Sequence, residues 1–320
     1  MKKTLILFLV TSLLYSCEYM ETVIDIEIPP HEPVLVLNGI LDTDTTISVL
    51  LSHSVGAFEQ NTPSCIIDAQ VLLFENNQFI DTLSIDLVNT DSVNFYDDKG
   101  SHQIPINYYK SSIIPVSGNT YKIVVNHPNY NSIQASTYIP LDVSVNDILV
   151  DTTTFTDKIR MNFSFNDQGG QRNYYRMKLF ANCMKSWFDE YYNDTVQYAW
   201  SGYVEMMSND PSFPAGIPFD GYTFVGNEVI FTDALFNGQE KQISIDVVSE
   251  GYRYDDCDTI GVKFSTFSDD TYDYYNSLGD HVDKGDLGLF GGETVPVFSN
   301  VENGLGVLIS VNAQLILITP

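Results

Sequence analysis

Apolar and polar residues alternate with a period of two along most of this chain, and that period predicts strands. VLVLNGIL (34–41) is a short apolar run broken by Asn38-Gly39, and ISVLLSHSV (47–55) follows after an Asp/Thr turn. AQVLLFENNQFIDTLSI (69–85) reads as a hairpin, two apolar runs around Asn76-Asn77. YKIVVNHPNYNSIQASTYI (121–139) reads as a second, with Pro128-Asn129 at its tip and Tyr121, Ile123 and Val125 on one face of its first arm. Strands at this spacing, with no helical period between them, predict an immunoglobulin-like or prealbumin-like β-sandwich over residues 34–140.

Pro140 and the DVSVNDI segment mark a boundary, and strand patterning resumes beyond it. In KIRMNFSFND (158–167) Ile159, Met161, Phe163 and Phe165 point inward while Arg160, Asn162 and Ser164 point outward. NYYRMKLF (173–180) and KQISIDVVSE (241–250) alternate in the same way, and EVIFTDALF, GVKFSTF and GLGVLISVNAQLILI add further strands. One short helix interrupts them. Ser268 or Asp269 can cap it, Asp269 and Asp270 suit its first turn, and Tyr272, Tyr275 and Leu278 fall on one face. Gly279 is expected to end it. Helices do not alternate with strands, which argues against a parallel α/β fold. The expectation is an all-β chain, with a larger antiparallel domain over residues 141–320 and one short helix.

The first residues follow another pattern. Lys2 and Lys3 precede an apolar run ending at Leu14, a basic and then hydrophobic leader of the secretory kind. The run is too short for a membrane-spanning helix, which needs about 20 apolar residues. Leu14, Tyr15, Ser16 and Cys17 resemble a bacterial lipobox, although Tyr15 is bulkier than the usual occupant of its position. That resemblance makes residues 1–16 a lipoprotein signal peptide and Cys17 the lipidated first residue of the mature protein. Acyl chains on Cys17 would hold the protein to a membrane, at about 0.8 kcal/mol per buried methylene. Residues 17–33, with Pro29, Pro30 and Pro33, then form a tether.

Composition narrows the partners. The chain carries 42 acidic and 15 basic residues, a formal charge of −27, and removal of residues 1–16 takes it to −29 because Lys2 and Lys3 go with them. So negative a protein repels phosphate backbones, which excludes nucleic acid as a partner. It also repels anionic lipid, so attachment would rest on the acyl chains. With 44% hydrophobic and 13% aromatic residues there is ample material for a core, against disorder. Three cysteines remain after Cys17. Cys183 and Cys257 lie in the same half of the chain and are the expected pair if a disulfide forms; three buried reduced thiols are the alternative.

Several of these segments together resemble one family. They are Cys17-Glu18, VIDIEIPP, PVLVLNGIL, DAQVLLFENN, STYIPLDVSVNDI, NYYRMKLF, FTDALFNGQEKQISIDVVS and PVFSNVENGLGVL, in that order. The resemblance is to the Bacteroidetes outer-membrane lipoproteins grouped as domain of unknown function 4249, and it spans nearly the whole mature chain. It implies a lipid-anchored outer-membrane protein, facing the cell surface or the periplasm, that partners a TonB-dependent receptor in nutrient uptake. It brings no catalytic residues.

The residues themselves point the same way on chemistry. There is no GxSxG, no HExxH and no Gly-rich phosphate loop, so no catalytic residue is assigned. The acidic clusters DDCD (255–258) and HVDKGD (281–286) lack calcium-loop spacing, CxxC pairs are absent, and no metal or other cofactor is expected. The most suggestive stretch is WFDEYYNDTVQYAW (187–200). Its Trp187, Tyr191, Tyr192, Tyr198 and Trp200 include both tryptophans, and Asn193-Asp194-Thr195 suggests a turn that puts them near a loop tip. Such aromatics anchor ligands and partners, but they also pack ordinary strands. The leading expectation is a non-enzymatic accessory or ligand-binding partner of a TonB-dependent receptor. A structural or adhesive surface lipoprotein is the alternative, and a hydrolase with an unfamiliar site is a third reading.

Overall fold

The period-two alternation does form strands. A computed structural model describes residues 31–56, 63–97, 100–151, 158–216, 221–248, 257–285 and 292–318. The leader, Cys17 and most of the tether lie outside the described residues. They belong to a small unit, Met1–Glu32 with Gly56–Glu59, and all elements below belong to the larger one, Pro33–Val55 with Gln60–Pro320.

Along that larger unit run β1 (Leu35–Asp42), β2 (Ser48–His53), β3 (Gln70–Glu75), β4 (Gln78–Ile85), β5 (Asp91–Asp97), β6 (Gly100–Ile106), β7 (Tyr108–Lys110), β8 (Thr120–His127) and β9 (Tyr130–Tyr138). There follow β10 (Val145–Asp151), β11 (Lys158–Asn166), β12 (Tyr174–Asp189), β13 (Asp194–Val204), β14 (Met206–Ser208), β15 (Phe224–Gly226), β16 (Glu228–Thr232), β17 (Glu240–Val248) and β18 (Cys257–Phe267). One α-helix, α1 (Asp269–Gly285), precedes β19 (Leu305–Ile318). Among the described residues the fold is all-β, built of large antiparallel sheets with this one α-helix.

A twelve-stranded sheet has the order β13-β12-β18-β19-β1-β2-β7-β4-β3-β8-β9, with β16 also on β12; a five-stranded sheet has the order β10-β11-β17-β14-β15; β5 and β6 pair alone. Two cores result. Leu35, Leu37, Val49, Leu51, Val71, Leu73, Tyr121, Ile123 and Val125 form the first, which Val301 and Leu308 complete. The inward residues of β11 and β17 meet those of β12 and β18 in the second, where Phe163, Phe165, Tyr175, Phe231, Phe236 and Phe264 cluster.

Local chemistry explains the turns. Asn76 and Asn77 both have positive φ, 47° and 67°, as a two-residue hairpin turn between β3 and β4 requires. EVIFTDALF does not stay extended. The strand stops at Thr232, and Asp233 to Leu235 make a 3-10 turn whose buried Asp233 accepts a hydrogen bond from Asn237 Nδ2 (3.0 Å). Helix α1 starts as expected, with Ser268 Oγ accepting the Thr271 amide (3.2 Å). It does not end at Gly279 but runs on to Gly285. Its far end is fastened to the chain after it: Ser277 Oγ accepts the Phe298 amide (2.8 Å) and His281 Nδ1 meets the Val295 carbonyl (2.6 Å). These contacts outweigh the penalty of about 1 kcal/mol for an interior glycine.

β19 joins the two cores. Its residues 305–311 pair in parallel with β1, and its residues 311–318 pair antiparallel with β18. Gly306 sits at φ 98°, where a β-carbon would fall on the Leu37 carbonyl oxygen, so only glycine lets the two strands approach. At the strand's middle lies a buried polar knot. Thr271 Oγ1 donates to the Ser310 carbonyl (2.6 Å) and accepts the Ser310 amide (3.0 Å), Ser310 Oγ donates to the Tyr138 carbonyl, and Asn312 Nδ2 donates to the Pro140 carbonyl (3.1 Å). Thr271 and Ser310 are fully buried. Replacing Thr271 by the isosteric valine (Thr271→Val) strips partners from buried backbone groups and is expected to cost about 2–3 kcal/mol. A lowered urea midpoint with unchanged slope checks this; an unchanged midpoint contradicts it.

Candidate functional site

The outward face of the five-stranded sheet carries a cleft of about 510 Å³. Its floor is set by register. β11 and β17 place Arg160 opposite Asp246, Asn162 opposite Ser244 and Ser164 opposite Gln242. A register shift between Asn146 and Leu149 breaks the β10 ladder there, and Asp147, at φ 53°, lines the cleft beside Ser164 with Leu149 on the same rim. Met207, Ser208, Asn209 and Asp210, from β14 and the residues after it, and Tyr222 close the other side.

One end of the cleft is a charge cluster around Asp246, whose side chain is 3% exposed. Arg160 grips it through both carboxylate oxygens (Nε–Oδ1 2.7 Å, Nη2–Oδ2 2.8 Å). Tyr222 donates its hydroxyl to Oδ2 (2.6 Å), and Lys158 donates to the Tyr222 oxygen (2.6 Å) while standing 3.0 Å from Asp246 Oδ2. Burial alone would raise the Asp246 carboxyl, but the bonds from Arg160, Tyr222 and Lys158 outweigh it and hold it at about 2. Burial and the bond to Asp246 push the Tyr222 hydroxyl up, so it stays a neutral donor. Across the cleft Lys241 makes two 2.7 Å bonds to Asp210.

The predicted aromatic stretch lies elsewhere, on the β12–β13 hairpin. Among the described residues, pairing of β12 with β18 runs to Cys183, opposite Cys257, and pairing with β13 continues to Asp189 opposite Asp194. Residues 184–198 form the outer part of this two-stranded hairpin. Asp189 Oδ1 accepts the amides of Tyr191 (2.9 Å) and Tyr192 (3.2 Å), and Asn193 at φ 48° completes the turn.

The five predicted contact residues divide by position. Tyr191 and Tyr192, 88% and 73% exposed, stand at the tip with their rings edge to face. Trp187 and Tyr198 pair on the shaft, ring centres 5.2 Å apart, and both are exposed. Trp200 sits at the root, half-buried against the second core. Cys183, opposite Trp200, is disulfide-bonded, and Cys65 is a free thiol. Strand alternation puts Trp187, Tyr198 and Trp200 on the face that covers the core further down β12.

Asp255, Asp256 and Asp286 lie outside the described residues, and His281 is turned to the Val295 carbonyl. Among the described residues no three His, Cys, Asp or Glu side chains come together as a metal site would require. Sequence reasoning missed the cleft. Arg160, Asn162 and Ser164 read there only as outward residues, and the available signal was the matching polar stripe of Gln242, Ser244 and Asp246 on another strand.

Comparison with known proteins adds the family. A family model described as a domain of unknown function (DUF4249) matches residues 21–314. No curated protein matches the chain. Among solved structures, the Fcho1 Mu homology domain of Danio rerio with bound Eps15 peptide is similar at 10% identity and a TM-score of 0.18, over 88% of this chain and 92% of that one. A structure of manganese lipoxygenase of Gaeumannomyces graminis with part of zonadhesin of Komagataella pastoris is similar at 10% identity and a TM-score of 0.18, over 89% and 98%. Neither likeness is close enough to bear on fold or function.

The Asp246 cluster makes a pH prediction. A carboxyl held below its unfolded value contributes stability that is complete above about pH 4 and lost as pH falls through about 2. Asp246→Asn is expected to lose about 2–3 kcal/mol at neutral pH, since it removes the buried carboxylate that Lys158 and Arg160 share. It should also flatten the stability profile between those limits. Urea titrations of both proteins across pH 2–7 check it, and parallel profiles would contradict it.

Proposed function

The chain belongs to the family described as domain of unknown function DUF4249, and we propose that it is a non-enzymatic, lipid-anchored outer-membrane protein that serves a TonB-dependent receptor as accessory or cargo-binding partner. The β12–β13 hairpin carries this reading. Exposed Trp and Tyr side chains gathered on a two-stranded hairpin are the residues and the geometry of an interface anchor. Two Tyr at the tip offer broad apolar rings with few rotamers to freeze on contact. Cys183, opposite Trp200 at the foot of the hairpin, is disulfide-bonded.

The address comes from the leader. Lys2-Lys3, the apolar run and the lipobox-like Leu14-Tyr15-Ser16-Cys17 support export and acylation at Cys17. The proline-bearing tether then gives the body reach above the bilayer, roughly 50 Å for about 15 extended residues.

Two experiments test this. In the native cell, Cys17→Ala is expected to lose fatty-acid labelling and leave the membrane fraction; retention of both refutes the anchor. Affinity purification from detergent-extracted membranes is expected to recover a β-barrel receptor. The Trp187→Ala/Tyr191→Ala/Tyr192→Ala protein should recover severalfold less of it at an unchanged melting temperature. Absence of any barrel partner, or full recovery by the triple variant, counts against the proposal.

A further inference from the structure

We propose that the cleft over the five-stranded sheet binds a neutral sugar, a mono- or disaccharide, through the side chains of Asn162, Ser244 and Gln242. This deepens the cargo-binding reading and rests on it in one respect, that the protein holds its ligand and does not transform it.

Charge comes first. The chain is strongly acidic, at −27, yet most of the charge at the cleft is already paired. Of its carboxylates Asp147, Asp210 and Asp246, the last two are engaged at 2.7–3.0 Å by Arg160 on the lining and by Lys158 and Lys241 beside it. Arg160 spends both arms of its fork on Asp246, and Lys241 divides its bonds between the two oxygens of Asp210. A charged ligand would have to break pairs that are already made. A neutral one need not.

Hydrogen-bonding capacity comes second. Between the two charge pairs, Asn162, Ser244 and Gln242 share one face of neighbouring strands. No described residue hydrogen-bonds their side chains, whereas nearby Ser208 donates to the Ser244 carbonyl (2.8 Å) and Asn209 accepts the Thr223 amide (2.9 Å). Each carboxamide presents one acceptor and two donor hydrogens, and each hydroxyl presents both roles. Anions require donors alone and cations require acceptors alone. Hydroxyl groups are both at once, and a sugar carries several at fixed spacing. Strands about 4.8 Å apart set the two amides at a separation that one sugar ring can bridge.

Size and walls agree. A volume of about 510 Å³ lies within the range of small-ligand pockets, about 300–1,000 Å³, and fits one or two sugar rings with water. Tyr222 provides apolar surface for the face of such a ring, with exposed Leu149 on the rim.

The test is calorimetric titration of the full mature chain in a detergent without a sugar headgroup. The titrants are glucose, galactose, mannose, xylose, N-acetylglucosamine, maltose, cellobiose and lactose, with gluconate, glucosamine and glycylglycine as charged comparisons. At least one neutral sugar is expected to bind one to one and more tightly than all three charged compounds. Asn162→Ala and Gln242→Ala, both on the outward face, should each weaken it about tenfold without moving the melting temperature. The proposal is overturned if no neutral sugar binds, if glycylglycine binds best, or if neither variant changes the affinity. No receptor or membrane is present in this titration, so its failure leaves the partner reading intact, and loss of barrel co-purification leaves this one intact.

Discussion

β19 is held by two different ladders, and the rest of the molecule is arranged around that fact. Its residues 305–311 run parallel to β1 and its residues 311–318 run antiparallel to β18. Leu308 fills the first core while Ile316 packs on the second. The polar residues at its centre look misplaced in a buried strand until their partners are counted. Ser310, Asn312 and Gln314 reach the carbonyls of Tyr138, Pro140 and Val143, the segment that leads from β9 to β10. A slip of one residue would turn all three to the other face and orphan those carbonyls, so the polar positions fix the register that apolar side chains alone would leave loose.

The distribution of cations follows a related logic. With 15 Lys and Arg against 42 acids, most carboxylates must stay in water. At three acids that are buried or half-buried the cations gather: Arg160 and Lys158 at Asp246, Lys241 at Asp210, Lys178 and Arg176 at Glu228, whereas buried Asp167 and Asp233 are held by neutral donors. The second core is thereby flanked by paired charge, and the surplus negative charge is left to the remaining surface. Local neutrality in an acidic protein is thus a product of the same β11 and β17 residues that form the cleft floor.

Much of this was legible from the residues. Period-two alternation located most strands, Asn76-Asn77 and Pro128-Asn129 located two hairpins, and Ser268 located the start of α1. These features are local, and local chemistry determines them. The misses are of another kind. The parallel pairing of β1 with β19 depends on strands at opposite ends of the chain, which no window of sequence contains. Helix α1 outran Gly279 because distant Val295 and Phe298 fasten it. The aromatic stretch was placed on a hairpin correctly, but its residues were treated as one group, whereas Trp200 packs on the second core and Tyr191 and Tyr192 stand exposed at the tip. The cleft was not seen because its groups come from four strands and Tyr222, each unremarkable until the sheet sets them side by side.

The double role of β19 also bears on when this protein can fold. β1 has an antiparallel neighbour in β2 but gains its parallel one only from residues beyond 304, and the first core lacks Val301 and Leu308 until then. Contacts so remote in sequence are late and slow to close. A nascent chain of this topology stays open at its centre until nearly all of it has been made.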